Sequence, residues 1–119
     1  VLETLDSVIV SWHPDFVIYD AGSDVHVDDA LGRLSVTTEG LYARDYGVIS
    51  RIRGLGIPCA TVIGGGYDKD RARVAARHGV VVRAAQAVFA QVGSPNSLEK
   101  IPTGACLSCV GWHNARLFR

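Results

Sequence analysis

Phe16-Val17-Ile18-Tyr19-Asp20-Ala21-Gly22-Ser23-Asp24 is the stretch whose reading decides the fold. Its first four residues, Phe16-Val17-Ile18-Tyr19, are a short continuous apolar run, as expected of a strand buried on both faces. It ends in a turn built on Gly22. A second run, Cys59-Ala60-Thr61-Val62-Ile63, ends in Gly64-Gly65-Gly66-Tyr67. Between the two, Thr37 or Thr38 can cap a helix, with Glu39 in the first turn where the helix dipole favours an anion. Leu41, Val48, Ile49, Ile52 and Leu55 continue that helix. Gly56 suits the left-handed position after its end, and Pro58 prevents continuation. Strand, helix and strand over residues 16–63 make a βαβ unit, with parallel strands joined by a right-handed crossover. Both following loops then lie at the carboxyl edge of one parallel sheet, where open α/β sheets bind ligands. Asp24 and Tyr67 are thereby expected on one rim.

Working outward, Leu2, Leu5, Val8, Ile9 and Trp12 form a helical stripe over residues 1–12. Pro14 stops it and is expected to push His13 toward an extended conformation. Residues 20–36, rich in Asp and Gly, read as a long loop. Asp68 to Val92 is helical in pattern, with an expected break near Gly79. Gly93-Ser94-Pro95-Asn96-Ser97 reads as a linker. The chain thus divides into residues 1–93 and a tail, 94–119, of irregular structure. Two strands are too few for a parallel sheet covered on both faces. That shortage, and the absence of Met, point to further strands upstream of Val1.

Composition narrows the function. At 119 residues and 48% hydrophobic the chain is one domain at most and not a disordered polar segment. No apolar run approaches the length of a membrane span, and no signal peptide is visible. Twelve basic and twelve acidic residues cancel. Neutrality argues against nucleic acid or an anionic membrane as a direct partner. The balance is uneven, however. Glu3, Asp6, Asp15, Asp20, Asp24, Asp28 and Asp29 precede the first basic residue, Arg33. The cluster from Asp20 to Asp29 is either a solvated acidic loop or a cation site.

Asp24 can serve as one carboxylate ligand to Zn²⁺, and His26 is close enough in sequence to be another. Gly64–Gly66 can cradle a phosphate, as in a nucleotide-binding α/β domain. No G-x-G-x-x-G or Walker pattern accompanies it. The same glycines can instead narrow a pocket wall and present Tyr67, whose hydroxyl suits a developing oxyanion. Cys59 reads as a small buried hydrophobe. Cys106 and Cys109 form a single CxxC, followed by His113. The tail could use them as a non-catalytic metal-binding or interaction module, although a structural zinc needs a second ligand pair. Three cysteines and no secretion signal favour a reducing, cytoplasmic setting.

Taken together, several segments resemble the C-terminal part of the histone deacetylase superfamily. They are Asp20-Ala21-Gly22-Ser23-Asp24, Asp29-Ala30-Leu31-Gly32-Arg33-Leu34-Ser35-Val36-Thr37, Gly40-Leu41, Arg44-Asp45, Gly56-Ile57-Pro58 and Gly64-Gly65-Gly66-Tyr67. The likeness covers about residues 10–92 and is strongest to the class IV-like and bacterial deacetylase or acetoin-utilisation branch. The resemblance implies an arginase–deacetylase-like α/β fold and zinc-dependent hydrolysis of N-acetyl amides such as acetyl-lysine or acetylpolyamine. It makes Asp24 a zinc ligand and Tyr67 the group that polarises the acetyl carbonyl. Gly65 and Gly66 would flank the substrate channel, while Gly22 and Asp29 would order the metal loop. His26 matches no ligand of the family.

The sequence departs from that pattern in what it lacks. The family takes its other two zinc ligands from an upstream Asp-x-His and its acid and base from an upstream His pair. Asp24-Val25-His26 cannot replace the former, because Asp24 already fills another role. His13, His78 and His113 are each isolated. One carboxylate does not hold Zn²⁺ in an open tetrahedral site. The chain alone is therefore expected to be inactive.

Overall fold

A computed structural model describes residues 2–92 of the chain. Five elements follow in order: α1 (Leu2–Trp12), β1 (Val17–Asp20), α2 (Thr38–Gly54), β2 (Cys59–Val62) and α3 (Arg71–Val92). The tail with Cys106, Cys109 and His113 lies outside the described residues. β1 and β2 pair in parallel, with Val17 opposite Cys59 and Asp20 opposite Val62. The βαβ reading of 16–63 is therefore the observed connectivity, and the chain is of mixed α/β class.

The ends of α2 show how local sequence sets the element. Thr37 is the N-cap, its hydroxyl accepting from the Gly40 N–H at 3.1 Å. At the other end Gly56 takes φ +76°. Its N–H donates to Arg53 O at 2.9 Å, and the Ile57 N–H donates to Ile52 O at 3.2 Å. That double closure is a Schellman motif. Ile57 also packs against the cluster of Ile9, Val48 and Ile52, the kind of hydrophobic contact that accompanies such a cap.

Two apolar clusters hold the elements together. Ile9 of α1 packs with Val48 and Ile52 of α2, flanked by Leu2, Leu5, Val17, Tyr19, Ile57 and Cys59. Ile49 of α2 packs with Ala21 and with Val81 and Val88 of α3, flanked by Tyr19, Tyr46 and Ala85. Tyr19 belongs to both. Cys59 is half-buried rather than fully enclosed, and burial raises its thiol pKa.

Several expectations are corrected. The strands are not buried on both faces: Ile18 is 67% exposed and Val62 is also open. Among the described residues, helices cover only the face bearing Val17, Tyr19 and Cys59, and strand side chains alternate between faces. The strands run 17–20 and 59–62 rather than 16–19 and 59–63, leaving Phe16 and Ile63 exposed. His13 is not extended. It takes φ +47° and donates its N–H to Ile9 O at 3.0 Å, closing α1. The left-handed region avoids the right-handed α geometry that Pro14 disfavours. No break occurs at Gly79; α3 is continuous. Burial of Val80, Val81 and Ala84 outweighs a glycine penalty of about 1 kcal/mol. α3 begins at Arg71 rather than Asp68, because Asp70 caps it: its Oδ1 accepts from the Ala72 and Arg73 N–H groups at 2.8 and 3.4 Å. Within 20–36, residues His26 and Val36 form an isolated parallel bridge.

Candidate functional site

The parallel pairing continues past the strands and zips the two loops together. The Ala21 N–H donates to Val62 O at 3.0 Å and the Ser23 N–H donates to Gly65 O at 2.6 Å. The Ala30 N–H donates to Tyr67 O at 3.0 Å. The turn carrying Asp24 and the loop carrying Tyr67 thus share one rim at the carboxyl edge of the sheet.

This closeness accounts for the glycines. A Cβ on Gly65 would collide with the Asp24 carboxylate, and one on Gly64 with that of Asp20. A Cβ on Gly66 would meet Ser23 Oγ and His78 Nε2. A Cβ on Gly22 would lie 3.3 Å from Asp24 Oδ1 and 3.5 Å from Gly65 N. Carboxylates lying against Gly64 and Gly65 give the wrong charge for a phosphate cradle. The nucleotide reading of these glycines is set aside on that ground.

Asp29 fastens the loop. Its side chain is 0% exposed. Oδ1 accepts from Leu31 and Gly32 N–H at 2.9 and 2.8 Å, and Oδ2 accepts from the Tyr67 N–H at 2.6 Å. Burial pulls its pKa upward, but these three donors and the nearby Arg77 outweigh it, so the carboxyl lies below its ordinary value. Every Asp29 oxygen is occupied by the chain itself. Gly32 lies so close to the backbone of Asp24 that a Cβ there would overlap Asp24 O.

His26 is equally committed. It is buried, accepts the Asp28 N–H on Nδ1 at 3.1 Å, and places Nε2 3.1 Å from Thr38 Oγ1. Acceptance at Nδ1 puts the ring proton of the neutral form on Nε2, donating to Thr38. Neither nitrogen is left for a metal. The acidic cluster also divides: Asp28 is exposed, Asp29 is enclosed, and Asp20 and Asp24 face the glycine loop.

Four residues to which the sequence alone assigns no role support the rim. Asp45, 1% exposed on α2, accepts from Tyr19 OH at 2.7 Å and from Arg44 Nε at 2.9 Å. Burial and then the Asp45 contact hold the Tyr19 phenol well above its ordinary pKa. Arg44 Nη1 also donates to Gly22 O at 2.9 Å, tying α2 to the turn before Asp24. On α3, Arg77 bridges Asp29 and Asp68. Its neighbour His78 brings a buried Nε2 without a hydrogen-bond partner to Gly66. A signal for Arg77 exists in the sequence. It falls on the helical stripe that continues through Val80, Val81, Ala84 and Val88, where a charge needs a buried counter-charge.

Tyr67 itself is 49% exposed. Among the described residues its hydroxyl has no hydrogen-bond partner. Nor do these residues contain a group of three His, Cys, Asp or Glu able to hold a metal ion. Asp24 alone does not make a zinc site. No helix among them is long and apolar enough to cross a membrane.

The chain is thus an α/β protein that carries a carboxylate and a phenol on adjoining loops at the carboxyl edge of a parallel sheet. Residues 1–83 match the Histone deacetylase domain family, and the chain belongs to that family. It is 45% identical over 85 residues to an uncharacterized protein of Picosynechococcus sp., covering 71% of this chain and 28% of that protein. It is 38% identical over 74 residues to histone deacetylase 2 of Arabidopsis thaliana, covering 62% of this chain and 19% of that protein. The chain therefore spans less than a third of the length of these relatives.

Proposed function

We propose that this chain is the C-terminal segment, within residues 1–93, of a zinc-dependent deacetylase of arginase–deacetylase-like fold. The intact enzyme hydrolyses N-acetyl amides, with acetyl-lysine or acetylpolyamine as the substrate class. The observation that supports this most directly is the zipped pair of loops, which sets Asp24 beside Gly65 and leads directly into Tyr67. Asp24 is one zinc ligand. The remaining ligands and the acid–base pair would come from sequence outside this chain, and the metal, when bound, would supply Lewis-acid polarisation and an activated water.

The residues present have roles that follow from their placement. Tyr67 donates its exposed hydroxyl to the substrate carbonyl oxygen as negative charge develops there, worth about 3 kcal/mol for one such donor. Gly65 and Gly66 leave the channel wall without side chains. Gly22 allows the turn to approach Gly65, and Asp29 holds the segment that follows Asp24. The three cysteines support a reducing, cytoplasmic setting.

In the intact enzyme, Asp24→Ala loses zinc, measured by metal content. Tyr67→Phe keeps zinc and loses about 10²–10³ in kcat. Normal turnover by Tyr67→Phe overturns the carbonyl-polarising role. The 119-residue chain with added zinc does not turn over an acetyl-lysine fluorogenic substrate; turnover would show that the missing residues are dispensable.

A further inference from the structure

The hydroxyl of Tyr67 has no partner among the described residues, so its aim is set by the backbone beneath it. That backbone is held from both sides. The Tyr67 N–H donates to Asp29 Oδ2 at 2.6 Å, and the Tyr67 carbonyl accepts from the Ala30 N–H at 3.0 Å. The Asp29 carboxylate is enclosed, and an enclosed carboxylate needs a cation. The cation is Arg77, itself 6% exposed, with Nη1 3.6 Å from Asp29 Oδ2, an ion pair in which Nη1 makes no hydrogen bond. The other arm of the same guanidinium, Nη2, donates at 2.5 Å to Oδ2 of Asp68, the residue next to Tyr67. Asp68 is tied locally as well, accepting the Asp70 N–H on Oδ1 at 3.0 Å. One planar fork on α3 therefore contacts both the carboxylate that accepts the Tyr67 N–H and the residue that follows Tyr67.

We propose that Arg77 is a positioning residue that fixes the direction of the Tyr67 phenol by bridging Asp29 and Asp68. The catalytic consequence rests on the deacetylase reading above; the mechanical one does not. Arg77 contacts the two loops through Asp29 and Asp68 and makes no contact with Tyr67 itself, so it acts through them. A guanidinium suits this place because its fork reaches two carboxylates in fixed directions, whereas an ammonium is a single point charge on a flexible stem. Without it, the enclosed Asp29 carboxylate has lost its ion-pair partner and Asp68 its hydrogen-bonded one. The Asp29 carboxylate that accepts the Tyr67 N–H is then held by the Leu31 and Gly32 N–H groups alone, with no counter-charge.

Two measurements test this separately. In the 119-residue chain, Arg77→Met speeds amide hydrogen exchange at Tyr67 and Ala30 about ten-fold, while the α2 amides keep their protection. Unchanged exchange at Tyr67, or an equal loss of protection throughout α2, overturns the proposal. Should Arg77→Met not fold, Asp68→Asn removes one arm of the bridge and carries the same expectation at smaller size. In the intact enzyme, Arg77→Lys lowers kcat about ten-fold per folded molecule with KM unchanged. A change in KM alone overturns the catalytic consequence. An intact wild-type enzyme without deacetylase activity removes the deacetylase reading, while the exchange experiment still decides the clamp.

Discussion

At the scale of the residue, the rim is limited by space and by charge. Gly65→Ala forces a methyl group into the Asp24 carboxylate, whereas Gly54 at the end of α2 has nothing within 4 Å of its would-be Cβ. We expect Gly65→Ala to cost about 1–3 kcal/mol, as overpacking does. Gly54→Ala gains about 0.4–1 kcal/mol by restricting the unfolded chain. Thermal melts of the two variants side by side check the contrast. Asp29 gives a pH dependence with a definite sign. Its pKa is lower folded than unfolded, so its contribution is fully present above the ordinary carboxylate value of about 4. It is lost as pH falls through the lowered folded value. Acid unfolding of Asp29→Asn should show a shallower loss of stability below about pH 4 than the wild type. Equal slopes would remove Asp29 from the linkage.

At the scale of the element, α2 carries the architecture: it touches both apolar clusters and reaches the rim through Arg44. Ile52, fully enclosed, should cost about 2–5 kcal/mol as Ile52→Ala. Removal of the cap by Thr37→Ala should cost about 1 kcal/mol. Urea denaturation followed by circular dichroism measures both. These elements were legible because their signals are local. A capping threonine, a glycine two residues before a proline and two apolar runs each act within a few residues. The shared rim was also legible, since parallel strands leave both following loops at the same end. What escaped the sequence depends on packing. Strand exposure follows from which helices happen to cover the sheet, which no run of Phe16-Val17-Ile18-Tyr19 encodes. The left-handed His13 and the unbroken helix through Gly79 are decided by neighbours in space. The Asp29–Arg77–Asp68 bridge joins residues from three segments: the resemblance marks Asp29 as ordering its loop, but nothing local pairs it with an arginine on a later helix.

At the scale of the whole molecule, the chain has the Histone deacetylase domain match and supplies the candidate ligand Asp24 and the candidate oxyanion donor Tyr67. Its sheet has two strands, so each has one flank free of strand partners among the described residues. The outer face bears Ile18, with Phe16 and Ile63 exposed nearby. Open backbone donors and acceptors beside apolar side chains are a template for another extended segment. The chain handled alone should therefore be adhesive. We expect its sedimentation coefficient to rise with concentration, and Ile18→Lys to suppress that rise without lowering the melting temperature. A feature that looks like a gap in the fold then governs how the protein behaves in the tube, by making its own copies compete for the surface that a larger domain would cover.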